Sequence, residues 1–252
     1  VVTRAVGRGD HAHARLPAFA RRVGRALEAI REATAHGRIG VSFSGGKDST
    51  VLLDLVRRVV PDAPAAFFDS GCELAAIYAT VSQYGVATIR PRLTFKDLAR
   101  YSGWWGYETP VDTECQWPAK QILIDEPSEA FVCRERLSVI ALGLRAEESR
   151  GRALNAYTRG ELYRGTDRTW RCCPLAHWSV SDVWAYLASR DLPYCAAYDA
   201  MAALGIPREE QRIGTLLGAI GATHGRHAIV RAIEPDTFRA LAAEFPALRE
   251  VS

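Results

Sequence analysis

Leu16, Phe19, Val23, Leu27 and Ile30 recur at spacings of three and four. That spacing puts them on one helical face and predicts an amphipathic helix ending near Gly37. An apolar strand at 39–43 follows directly. The pattern then alternates, with a helix at 50–60, a strand at 65–68, a helix at 74–84, a strand at 86–90 and a later apolar strand at 138–142. Repeated strand–helix units predict the α/β class, a doubly wound and mostly parallel sheet with helices on both faces. Ligands are then expected at the carboxyl ends of the strands.

Residues 91–130 interrupt this rhythm with Pro91, Pro110, Pro118 and Pro127 and the aromatic cluster Tyr101, Trp104, Trp105 and Tyr107. Such an insertion is expected to cap the ligand edge or to form a lid. From Ser179 onward the chain reads as helices: Ser179 is a cap candidate, and Glu234-Pro235 opens a last helix reaching Phe245. Three segments result: an N-terminal helical segment at 1–38, a main domain at 39–190 with its insertion at 91–130, and a helical C-terminal region at 191–252.

Length and a hydrophobic content of 48% allow a sizeable core and a pocket. A net charge of +3 is too mild to imply nucleic acid. Almost all the positive charge is arginine, because Lys47, Lys96 and Lys120 are the only lysines. No stretch approaches the roughly 18 apolar residues of a membrane span, and residues near the N-terminus lack the apolar core of a secretory signal. A cytoplasmic protein without membrane contact is expected, with a homo-oligomer left open. The six cysteines, at 72, 115, 133, 172, 173 and 195, read as free thiols, metal ligands or sulfur handlers rather than disulfides.

The chemistry concentrates at 41–49, where an apolar strand breaks into Ser44-Gly45-Gly46-Lys47-Asp48-Ser49 before a helix. Two glycines permit a sharp turn and close approach of backbone to a ligand, and the helix start offers free amides and a positive dipole end. These features make a phosphate cradle. It is not a Walker loop, whose first glycine would fall at Val41 and whose Ser or Thr would replace Asp48. Placed between a strand and a helix start, Lys47 and Asp48 are expected to be exposed ligand groups.

The loop resembles, residue for residue, the PP-loop of the ATP pyrophosphatases in the form found in the phosphoadenosine phosphosulfate (PAPS) reductase-like group. Asp69-Ser70-Gly71, after the second strand, resembles that family's Asp-Thr/Ser-Gly segment. Gly143-Leu144-Arg145-Ala146-Glu147-Glu148-Ser149-Arg150-Gly151-Arg152 resembles its Gly-x-Arg-x-x-Glu-Ser-x-x-Arg segment. The run 174–187, with Pro174, Trp178, Ser179, Asp182, Val183, Trp184 and Tyr186, resembles a further family segment that is mainly structural. Together these cover about 39–187 and identify the chain as similar to the adenine nucleotide alpha-hydrolases, a HUP-type fold.

The resemblance implies ATP and Mg²⁺ as cofactors and cleavage between the α- and β-phosphates. Lys47, Asp48 and Arg145 would be catalytic. Ser44, Gly45, Gly46, Lys47, Asp48, Ser49, Asp69, Ser70, Gly71, Gly143, Arg145, Glu148 and Arg152 would bind the nucleotide, with Asp48 and Asp69 on the metal. Arg145 and Arg152 are the preferred anion contacts, since a guanidinium fork suits phosphate or sulfate oxygens, and Glu148 can orient a guanidinium.

Sulfonucleotide reductases of this group attack with a cysteine in a C-terminal tail, and no cysteine follows Cys195 here. Iron–sulfur relatives pair Cys-Cys with a distant Cys-x-x-Cys, and Cys172-Cys173 supplies only the first half, so an iron–sulfur cluster is not expected. What remains is activation of an acceptor by ATP for sulfur incorporation, without reduction. The favoured acceptor is the DNA backbone, as in phosphorothioation systems of the Dnd and Ssp types, with a cysteine desulfurase and other subunits as partners. Cys172 and Cys173 would handle sulfur, and a thiol beside Arg171 is expected to have a lowered pKa. The alternatives are a sulfur-assimilation enzyme, either a PAPS or adenylyl-sulfate reductase or a sulfate adenylyltransferase small subunit, and a non-catalytic nucleotide-binding subunit.

Overall fold

A computed structural model describes residues 4–103, 118–214 and 226–250. Six strands form one sheet: β1 Ile39–Ser42, β2 Ala65–Phe68, β3 Ala87–Ile89, β4 Val139–Ala141, β5 Leu162–Arg164 and β6 Trp170–Cys172, in the order β3-β2-β1-β4-β6-β5. All neighbouring pairs are parallel except β5 with β6. The central strands are apolar but for Ser42 at the end of β1, and Ile39, Val41, Val139 and Ala141 are buried. That is what a parallel sheet covered by helices on both faces requires. β1 takes β2 on one side, with Val41 opposite Ala65, and β4 on the other, with Ile39 opposite Val139. The strand order reverses there, opening a crevice at the carboxyl ends.

The helices are α1 Arg8–His13, α2 Pro17–Thr34, α3 Lys47–Val59, α4 Ala75–Tyr84, α5 Phe95–Tyr101, α6 Glu126–Glu135, α7 Arg150–Arg159, α8 Val180–Arg190, α9 Ala197–Ala203, α10 Arg226–Ile233 and α11 Pro235–Glu244. α3 begins three residues before the expected 50–60 pattern. Its first turn, Lys47-Asp48-Ser49, is polar and so carries no hydrophobic periodicity, while Leu52, Leu53, Leu55 and Val56 bury its inner face. The strands β5 and β6 were not foreseen, being three residues each with arginines among them.

Two described parts of the 91–130 insertion belong to the core. Phe95, Leu98 and Ala99 of α5 and Ile122 and Leu123 of the π-helical turn Gln121–Asp125 are buried, so these parts are packed structure rather than a lid. Trp104, Trp105, Tyr107 and Pro110 lie outside the described residues.

Ser179 caps α8 as expected: its side chain accepts from the Asp182 amide at 3.2 Å, and Asp182 accepts from the Ser179 amide at 2.8 Å. Asp182 is fully buried, and it also accepts from His13 at 2.8 Å and from Arg22 at 2.6 Å. One carboxylate therefore pins α1 and α2 against the start of α8. A single apolar cluster includes Phe19 and Ile30 of α2, Val183 and Trp184 of α8, Tyr198 of α9 and Phe238 of α11, so the flanking segments share the core of the sheet. No helix among the described residues is long and apolar enough to cross a membrane.

Candidate functional site

The loop 44–49 sits at the carboxyl end of β1 and runs straight into α3. Gly45 has φ 73°, in the left-handed region, and a Cβ there would meet Ile77 Cγ2 at 3.0 Å, so glycine is required for both reasons. The turn is braced from within: the Ser44 amide donates to Ser49 Oγ at 3.1 Å, and the Ser49 hydroxyl donates to the Gly46 carbonyl at 2.9 Å. Lys47 is buried, with only 4% of its surface exposed, contrary to the expectation that a residue between strand and helix stands in solvent. Its ammonium lies 3.1 Å from Asp48 Oδ2 and 5.3 Å from the centre of the Tyr198 ring, two neighbours that stabilise a desolvated cation.

Asp48 is the hub. Its Oδ1 accepts from Arg145 Nε at 2.5 Å, and Arg145 Nη1 donates to Glu147 Oε2 at 2.5 Å. Glu147 also accepts the first amide of α8, from Val180, at 2.7 Å. Glu148 accepts from the Arg145 amide at 3.0 Å and from the Arg152 guanidinium. Burial by itself disfavours the charge on Arg145, but Asp48 and the two glutamates outweigh it and hold the guanidinium above its ordinary pKa. Gly143 packs directly on the loop: a Cβ on it would lie 3.2 Å from the Asp48 carbonyl carbon and 3.3 Å from the Ser49 nitrogen. Its place is to let β4's exit pack on the first turn of α3.

Asp69, Ser70 and Gly71 occupy the end of the neighbouring strand β2. Asp69 Oδ1 accepts from the Gly71 amide at 2.9 Å and the Tyr78 hydroxyl at 2.8 Å, and Ser70 donates to Glu73 at 2.6 Å. Burial pushes the Glu73 carboxyl up to about 7, with Asp69 adding to the rise and the Ser70 hydrogen bond opposing it. Among the described residues no three His, Cys, Asp or Glu side chains converge on a metal position. Asp48 and Asp69 thus do not form a cage by themselves. Both oxygens of Asp48 are already engaged, Oδ1 by Arg145 and Oδ2 by Lys47.

Cys172 and Cys173 are not brought together as a pair. Cys172 ends β6 and joins the main core, with Sγ 3.8 Å from the Ala29 carbonyl, whereas Cys173 packs with Ala156 and Ala176 in a separate cluster. Burial pushes the Cys173 thiol up to about 11 and Cys172 higher still. This corrects the expected lowering: Arg171 is engaged by Asp167 at 2.7 Å, and desolvation outweighs its charge. Cys173 lines a cavity of about 200 Å³ with Tyr163, Asn155, Arg152 and Arg145.

Sequence reasoning missed Glu147, Val180, Tyr198, Glu209 and Arg212. The Tyr198 hydroxyl accepts the Lys47 amide at 3.2 Å, and burial raises its pKa so that it stays a neutral phenol. A cavity of about 40 Å³ is lined by Lys47, Arg145, Glu147, Glu148, Val180, Glu209 and Arg212. Only Glu147 carried a signal, through its place beside Glu148.

Residues 38–215 match the family described as the phosphoadenosine phosphosulfate reductase domain. An adenosine 5'-phosphosulfate reductase of Geobacillus sp. (strain WCH70) is 28% identical over 167 residues, covering 62% of this chain and 65% of the relative. The chain thus spans slightly less than two thirds of that relative's length. Adenosine 5'-phosphosulfate reductase 1 of Bacillus subtilis (strain 168) is 26% identical over 188 residues, covering 69% of this chain and 74% of the relative. Among solved structures, a phosphoadenylyl-sulfate reductase from Candida auris in a phosphate complex aligns with a TM-score of 0.51 at 14% identity. That alignment covers 71% of this chain and 84% of the other, and it is a likeness of fold.

Proposed function

The chain belongs to the phosphoadenosine phosphosulfate reductase domain family, and on that premise we propose that it is an adenine-nucleotide enzyme of sulfur assimilation. Its substrate on this reading is adenylyl sulfate or the 3'-phosphorylated form, and the bond broken is the sulfur–oxygen bond of the phosphosulfate anhydride, the bridging oxygen leaving with the α-phosphate. The observation that carries the reading is the Arg145–Asp48 pair at 2.5 Å, which sets a guanidinium and a buried lysine beside the amides of the loop. Loop amides, Lys47 and Arg145 would hold the anhydride oxygens by preorganised electrostatics. Asp69 and Ser70 would face the nucleoside, and Arg152 would reach the anion once released from Glu148. Phosphate handling belongs on this reading to 39–190, with 1–38 and 191–252 as flanking segments.

A second reading is favoured by one observation. Among the described cysteines only Cys133 is exposed, and Cys72, Cys172, Cys173 and Cys195 are buried. Activation without reduction would need no thiol: ATP would be cleaved to AMP and pyrophosphate while an acceptor, best the DNA backbone, is adenylylated for sulfur delivered by a cysteine desulfurase. Mg²⁺, when bound, would offset phosphate charge, and Asp48 would hold it on this reading by giving up Lys47 or Arg145 as a partner.

Incubation with adenylyl sulfate, its 3'-phosphorylated form or ATP, with dithiothreitol present, separates the readings by chromatography of the products. For assimilation, sulfite is expected with AMP from adenylyl sulfate or with adenosine 3',5'-bisphosphate from its 3'-phosphorylated form, the two thiols of dithiothreitol being oxidised to a disulfide. AMP with pyrophosphate from ATP supports the second reading. ADP as the product, or no binding of any nucleotide, overturns both.

A further inference from the structure

Four cations surround the loop, and three are already matched to carboxylates. Lys47 faces Asp48, Arg145 faces Asp48 and Glu147, and Arg152 faces Glu148. Arg212 differs. Its hydrogen bond runs from Nη2 to the backbone carbonyl of Glu148 at 2.9 Å, and no carboxylate among the described residues lies within ion-pair distance of it. A carbonyl only partly satisfies a guanidinium with five donors.

The backbone at 212 is nevertheless fixed. Gln211 and Ile213 on either side are buried, and Gln211 Nε2 donates to the Ile206 carbonyl at 2.8 Å. Ile213 lies against the loop itself, since a Cβ at Gly46 would be 3.5 Å from its Cδ1 and 3.4 Å from the Tyr198 hydroxyl. The stretch from α9 to Ile213 therefore forms a wall of the phosphate loop. Anchored neighbours on both sides aim the Arg212 side chain at the 40 Å³ cavity it shares with Lys47 and Arg145. That space has room for a few waters only. A phosphate or sulfate group would need Arg212 to exchange the Glu148 carbonyl for an anionic oxygen, a stronger and charge-assisted partner.

We propose that Arg212 is an anion-binding residue of the nucleotide site, contacting the terminal phosphate or sulfate of the anhydride beside Lys47 and Arg145. The proposal rests on the nucleotide reading above and adds to it a contact from outside the segments that suggested it. Lys47, Arg145 and Arg212 would then converge on the anhydride from α3, from the turn after β4 and from the C-terminal region.

The test is calorimetric titration of ATP and of AMP into the full chain, wild type against Arg212→Gln and Arg212→Lys, with thermal melting as the fold control. Arg212→Gln should weaken ATP binding roughly tenfold to hundredfold, the range for loss of one charge-assisted contact. AMP, which lacks the distal group, should bind both proteins alike, and Arg212→Lys should recover most of the ATP affinity. Unchanged ATP affinity in Arg212→Gln, or an equal loss for AMP and ATP, overturns this inference and leaves the nucleotide reading intact. A wild-type protein that binds none of ATP, AMP and adenylyl sulfate overturns the nucleotide reading, and this one with it.

Discussion

Arg145 and Asp48, separated by 97 residues in sequence, are joined by a 2.5 Å hydrogen bond between Nε and Oδ1. The bond ties the turn after β4 to the first turn of α3, so the loop that would receive phosphate is held from the neighbouring strand as well as from its own. With Lys47 on the other oxygen of Asp48, one carboxylate sets the positions of two cations. Removing either partner therefore disturbs both.

Lys47→Ala should weaken ATP or adenylyl sulfate binding by about 1.5–3 kcal/mol, tenfold or more, while circular dichroism stays native. The ammonium is buried beside Asp48, so the variant also leaves that carboxylate with Arg145 alone. Wild-type affinity in isothermal titration would remove Lys47 from the site.

Gly143→Ala tests the packing of β4's exit on α3. The added methyl would lie 3.2–3.3 Å from backbone atoms of Asp48 and Ser49, and backbone cannot rotate away as a side chain can. A destabilisation of about 1–3 kcal/mol is expected, with a loss of nucleotide affinity larger than that of a surface Gly→Ala control. Urea denaturation and titration on the same samples check both parts.

Glu73 should make stability fall as pH rises. Its carboxyl is raised by burial from 4.5 to about 7 in the folded protein, so the folded state holds a proton that the unfolded chain releases. The resulting stabilisation is complete below about 4.5 and is lost as pH climbs to about 7. Its full size is on the order of 3 kcal/mol. Glu73→Gln, which can still accept from Ser70, should flatten melting temperature against pH across that window and melt higher than wild type above it.

Asp182 should behave with the opposite sign. Burial raises its pKa, but hydrogen bonds from His13, Ser179 and Arg22 outweigh burial and hold the carboxyl below its ordinary range. A depressed carboxylate stabilises the fold above the unfolded-state pKa and ceases to do so as pH falls through the folded one. Asp182→Ala should therefore cost about 3 kcal/mol near neutral pH, and the deficit should shrink in acid. Urea unfolding of wild type and variant at both pH values measures it.

How much of this was legible in the sequence depends on whether the cause was local. The strands 39–43, 65–68 and 138–142 were readable because a strand buried on both faces is an unbroken apolar run, and β1, β2 and β4 lie there. Ser179 with Asp182 was readable because a capping box is a contact between positions three apart. β5 and β6 were not, since three-residue strands carrying Arg164 and Arg171 take their shape from pairing with each other and with β4.

The sequence by itself determined the turn at 44–49 between β1 and α3, because Gly45, Gly46 and a polar helix start answer to backbone sterics and free amides within a few residues. It also determined that Arg145, Glu148 and Arg152 follow a strand close to that loop. Only the tertiary structure decided that Lys47 is buried, that Cys172 and Cys173 part company into two clusters, and that Tyr198 and Arg212 stand at the loop. Each of these depends on which distant surface covers a side chain. Desolvation and long-range pairing leave no periodic trace in the chain, since they arise only once the sheet has brought its strand ends and the C-terminal helices together.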